Sequence, residues 1–145
     1  MGTGKQGVAR TAIPPRTARV AVTAIFFANG ALVANWFARV PDVKQTLGLS
    51  EGALSIGLLS MAVGALLSQP TAGWVIGKVG SRTVTAVMAL ANCAALILPG
   101  FASSLPLLMA ALFLYGASNG ALDVAMNAQA AVVVRRYARP IMRSF

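Results

Sequence analysis

Charge is scarce in this chain of 145 residues, and acid is scarcer. Charged residues make up 10% of it, and Asp42, Glu51 and Asp123 are the whole acidic complement. A soluble domain carries about a quarter charged residues. The shortfall excludes an ordinary soluble globule. With 57% hydrophobic residues and a mean hydropathy of +0.74, it points to a membrane protein. Histidine is absent, so proton chemistry near neutral pH falls to a carboxylate. Cys93 is the only cysteine, which excludes an internal disulfide; its place inside an apolar run assigns it as a small packing residue. There is no cluster of metal ligands, no nucleophile beside a base, and no phosphate loop ahead of a soluble helix. Neither an enzyme nor a protein with a metal or other cofactor is expected. A pI near 11.5 suggests nucleic acid at first sight. The bases lie between apolar runs rather than on one basic face, however, so no nucleic-acid partner is expected.

What is present is a series of four apolar segments. Residues 1–19 carry Lys5, Arg10, Arg16 and Arg19 with Pro14 and Pro15, and read as a basic cytoplasmic tail. With the next run they have the outline of a signal peptide, but no small-residue cleavage site closes that run and three more apolar segments follow. The first span, 20–38, is free of charge and just long enough for ~30 Å of hydrocarbon; its polar residues include Asn29 and Asn35. Residues 39–51 read as a loop, with Pro41, two bases and two acids, and Ser50 and Glu51 mark the start of the second helix. The second span, 52–77, repeats Gly57, Met61, Gly64 and Ser68 at helical spacing, a face suited to close helix packing, and Pro70 is a potential kink. The third span, 83–101, carries Asn92 as its lone strongly polar residue, expected to hydrogen-bond to a neighbouring helix. A short uncharged turn with Pro99, Gly100 and Pro106 leads to the fourth span, 105–134, and residues 135–145 form a basic cytoplasmic segment. The whole reads as an all-α membrane protein of about four transmembrane helices.

The fourth span organises the rest. Asn119, Asp123 and Asn127 recur at four-residue spacing and so form one polar stripe on a helix. Gly116 and Gly120 beside it allow another helix to approach closely. Counting bases by loop orients the chain. The N-terminal tail has four, the first loop Arg39 and Lys44 offset by two acids, the second loop Lys78 and Arg82, the third none, and the C-terminal segment Arg135, Arg136, Arg139 and Arg143. Both termini are therefore expected in the cytoplasm. Asp123 lies twelve residues before Arg135, about 18 Å along the helix and close to the midplane of a ~30 Å core. No Lys or Arg falls within the four spans. Two states stay open for the carboxyl: neutral, or paired with a base from elsewhere. A charge at that depth should face a partner, a cavity or water rather than lipid.

The segment Gly73–Arg82 resembles the cytoplasmic signature between helices 2 and 3 of major facilitator superfamily (MFS) transporters, roughly G-x-x-x-D-R/K-x-G-R/K-R/K. Gly73, Lys78, Gly80 and Arg82 fall at matching positions; Gly77 stands at the acid and Ser81 at one base. The stretches Arg39-Val40-Pro41-Asp42-Val43-Lys44 and Gly120-Ala121-Leu122-Asp123-Val124-Ala125-Met126-Asn127 resemble bacterial permeases related to fucose permease. The resemblance implies the first part of an MFS N-terminal six-helix bundle, built from inverted three-helix repeats in which helices 1 and 4 line a central cavity. It also implies a substrate- or proton-binding role for Asp123, with Asn119, Asn127, Asn29 and Asn35 as polar neighbours on those two helices. The acid expected on the first helix of proton-coupled fucose permeases is absent here. The expected function is that of a fragment of a secondary transporter. It moves a small solute, with or without H+, across the bacterial inner membrane by alternating access, completed by the remaining transporter helices or another copy. The alternative is a complete four-span module acting as a homo-oligomer or partner-binding subunit.

Overall fold

The computed structural model describes residues 15–138. Their order is α1 (Pro15–Leu47), α2 (Glu51–Val79), α3 (Ser81–Ile97), a 3-10 turn (Leu98–Phe101) and α4 (Leu105–Ala138). Four helices among the described residues are long and apolar enough to cross a membrane. The protein is an all-α membrane protein. Most of the basic tail, residues 1–14, and residues 139–145, with Arg139 and Arg143, lie outside the described residues.

The largest departure from the sequence reading is α1. It begins at Pro15, inside the stretch read as tail, because proline suits the first helical turn, where its missing N–H leaves nothing unpaired. It then continues through Pro41 to Leu47, across most of the segment read as a loop. Proline inside a helix removes one backbone bond, but Val40, Val43 and Leu47 pack against a core of Trp36, Ala95, Leu108, Leu112 and Tyr115. Tertiary packing outweighs the break. The helix then stops at a glycine cap. Gly48 takes φ +60°, its N–H bonds Gln45 O at 3.2 Å, and Leu49 N–H bonds Lys44 O at 3.0 Å. These two bonds are those of a Schellman motif. Ser50 caps α2, its Oγ accepting from Ala53 N at 3.2 Å, and Lys44 pairs with Glu51 across the turn.

Between α2 and α3 the connection is Gly80 alone, at φ +87° and ψ 151°, with its N–H bonded to Ile76 O at 2.9 Å. Only glycine occupies that region without strain.

Helix α4 is the hub, packed against α2, α3 and α1. Its closest neighbour is α2, and the small residues set the distance. A Cβ on Gly64 would overlap the Phe113 carbonyl, and one on Gly116 the Met61 carbonyl. One on Gly120 would lie 2.6 Å from Ala65 O and 2.7 Å from Ser68 Oγ. Ser60 Oγ donates across the same seam to Met109 O at 3.0 Å. Backbones this close gain dispersion and interhelical hydrogen bonds, which are what hold helices together in lipid. Pro70 sits within an unbroken α2, whereas Cys93 lies exposed on α3 rather than packed. It is one residue beyond the buried Asn92, about 100° round the helix and so off the packed face.

Candidate functional site

The polar residues of the spans separate into two groups. The first is buried. Asn29 on α1 and Asn92 on α3 are 8% and 0% exposed, and Asn92 Nδ2 donates to Asn29 Oδ1 at 3.3 Å. Ser118 Oγ on α4 lies 3.1 Å from Asn92 Oδ1 and 2.9 Å from Tyr115 O, sharing one proton between two acceptors. This chain of amides and a hydroxyl ties three helices together. Asn92 is thus the interhelical tie its isolation suggested. Asn29, a candidate solute ligand by sequence, has its side-chain oxygen engaged in that tie. Ser118 was missed: a lone serine in an apolar helix is ordinary, and its pairing depends on how α3 and α4 meet.

The second group is on α4. Asp123 and Asn127 are both exposed on the described bundle. Asn127 Nδ2 donates to the Asp123 backbone carbonyl at 2.8 Å, leaving the carboxylate with no bonded partner among the described residues. Asn119 is only partly exposed, and its Oδ1 is buried without a partner among the described residues. Four-residue spacing drifts by about 40° per step around a 3.6-residue turn. The three residues therefore follow a slanted line, from the packed side at Asn119 to the open side at Asp123 and Asn127. Asn35 is exposed on α1. It is six residues from Asn29 and on a different face, whereas Trp36, seven residues on, shares the buried face of Asn29.

Two more buried polar atoms lack partners among the described residues: Trp36 Nε1 and Tyr115 Oη, on rings whose centroids are 6.4 Å apart. Tyr115 lies one turn before Asn119 on the same helix. That spacing was readable, but the burial of Tyr115 comes from the packing of α1 and α3 against α4.

At the opposite end of α2, the signature residues take distinct roles. Lys78 Nζ stands 3.7 Å from the centroid of the Trp74 ring, a cation–π contact. Gly80 makes the turn, while Gly73 and Arg82 are exposed. Ser81, where the pattern has a base, donates through Oγ to Gln129 Oε1 at 2.6 Å and so fastens the turn to α4.

Residues 20–144 match the model of the Major Facilitator Superfamily. An uncharacterised transporter of Sinorhizobium fredii is 36% identical over 86% of this chain and 33% of its own length. The membrane protein MosC of Rhizobium meliloti is 37% identical over 77% of this chain and 28% of its own. An uncharacterised MFS-type transporter of Yersinia pestis is 32% identical over 91% of this chain and 34% of its own. The chain spans about a third of the length of these relatives. No solved structure matches it significantly. The family and the relatives indicate a transport role rather than an enzymatic one. With its four apolar helices and the family match over residues 20–144, this multi-pass membrane chain belongs to the Major Facilitator Superfamily.

Proposed function

We propose that these helices are the opening part of a secondary transporter that moves a small solute across the bacterial cytoplasmic membrane by alternating access, with both termini in the cytoplasm. The observation that carries this reading is the Asp123 carboxylate: exposed, unpaired among the described residues and near the middle of its span. Hydrocarbon is a costly environment for such a group, so a polar cavity beside α4 accounts for it. Solute binds against Asp123 and Asn127, with Asn119 reaching the same cavity from the packed side and Asn35 contributing from α1. Asp123 is also the group that would carry a proton if transport is proton-coupled. Helices beyond these four, or another copy, close the cavity. Relatives about three times as long support that arrangement over a self-sufficient four-span module.

The test is uptake by cells expressing the complete product of the native locus, first screened over a panel of small solutes. Asp123→Asn should then abolish uptake or change its pH dependence. Unaltered uptake with an unaltered pH profile would sink the proposal.

A further inference from the structure

A second polar site lies apart from Asp123, at the end of the bundle where α1 turns into α2. There a cavity of about 310 Å³ opens between the last turns of α1 and the 3-10 turn after α3, lined among others by Trp36, Arg39, Asp42, Leu47, Leu96 and Pro99. Its lining joins apolar residues with the exposed charged residues Arg39 and Asp42. Neither Arg39 nor Asp42 has an ion-pair or hydrogen-bond partner among the described residues. Trp36 is 2% exposed, and its indole N–H has no acceptor among the described residues. A buried donor without a partner and two unpaired opposite charges around one cavity are each costly or idle as they stand.

The depth of the cavity narrows what fits. Asn29 is the middle residue of the uncharged run 20–38. Arg39 is ten residues further on, about 15 Å along the helix, which places it at the edge of a ~30 Å hydrocarbon core. That is the level of lipid headgroups. Arg39 and Asp42 are three residues apart, so they are neighbours on one face of α1. They present a cation and an anion side by side, with apolar surface below. Ile97 at the end of α3, with Leu98 and Phe101 on the turn that follows, are exposed apolar side chains available to an acyl chain.

We propose that this cavity binds the headgroup of a zwitterionic phospholipid, phosphatidylethanolamine, from the leaflet at that end. The phosphate accepts from the Arg39 guanidinium, for which a planar fork of donors is well matched. The ammonium, two carbons away in the headgroup, donates to the Asp42 carboxylate. A charged lining of this kind suits a headgroup better than the apolar side of another helix. Binding here is separate from solute binding at Asp123 and does not depend on it.

Native mass spectrometry tests it, with the protein released from nanodiscs of mixed phosphatidylethanolamine and phosphatidylglycerol. The unaltered protein should retain phosphatidylethanolamine. Arg39→Gln should lower retention of both lipids at least tenfold, with Arg39→Lys restoring part of it. Asp42→Asn should abolish the preference for phosphatidylethanolamine while leaving phosphatidylglycerol bound. Unchanged helical content by circular dichroism would separate these effects from misfolding. A benzophenone side chain in place of Thr46, an exposed residue of the cavity lining, should cross-link to lipid. Cross-linking to a protein segment instead, or lipid retention indifferent to Arg39→Gln, would overturn the assignment. So would displacement of the lipid by soluble phosphoethanolamine or inorganic phosphate, which would make the site one for a free phosphate compound.

Discussion

Gly116 on α4 rests directly against the backbone of Met61 on α2, with no room between them for even a methyl group. The contact recurs one turn on at Gly120 against Ala65 and is reciprocated by Gly64 against Phe113. This seam holds the bundle at the distance that its hydrogen bonds and van der Waals contacts require. The first prediction follows from it. Gly116→Val should destabilise the protein by about 1–3 kcal/mol, the usual range for forcing extra volume into a filled contact. Gly30→Ala, where nothing lies within 4 Å of the added carbon, should be near neutral. Thermal unfolding in detergent, followed by tryptophan fluorescence, reads the difference. Equal melting temperatures for the two variants would contradict the close contact.

The amide tie makes a quantitative case. Asn92→Leu removes the partner of both Asn29 and Ser118. Hydrogen bonds between membrane helices average about 0.6 kcal/mol and reach about 1.7. A double-mutant cycle on Asn29 and Asn92 should therefore give a coupling within that range. A coupling indistinguishable from zero would show that the two side chains do not interact in the bilayer.

Among the signature glycines, only one is held by conformation. Gly80→Ala places a side chain at φ +87°, ψ 151°, and should cost about 1–3 kcal/mol. Gly73 lies in regular helix with open space around it. There, alanine should be neutral or stabilising by up to about 1 kcal/mol, since glycine is the weaker helix former. Denaturant titration of both variants checks this. A tolerant Gly80 would mean that the turn relaxes.

The asparagines of α1 should divide by role. Asn29→Ala should lower stability, because it leaves Asn92 without its acceptor. Asn35→Ala should leave stability unchanged and alter solute uptake by the complete transporter, because the side chain is exposed and bonded to nothing described. Uptake and melting temperature measured on the same two variants decide it. An Asn35→Ala protein with unchanged uptake would remove that residue from the proposed cavity.

Sequence alone determined the class of the protein. Runs of apolar residues with charge confined between them satisfy the bilayer only as spanning helices, because every backbone polar group must be paired within its own segment. The small-residue faces at Gly57–Ser68 and Gly116–Gly120 were readable for the same kind of reason: helical periodicity is local, and small residues on one face allow a close neighbour. The MFS signature was likewise local, a run of ten residues around a turn that glycine makes possible. Tertiary structure decided what local pattern does not carry. The continuation of α1 through Pro41 depends on Val40, Val43 and Leu47 meeting the Trp36–Tyr115 core, a cluster that includes residues far along the chain on α3 and α4. Of two asparagines on one helix, only the fold made Asn29 an interhelical tie and left Asn35 exposed, because burial is set by which helix lies opposite. The open side of Asp123 is a property of the assembly as well: α1, α2 and α3 pack on other parts of α4 and leave this one free.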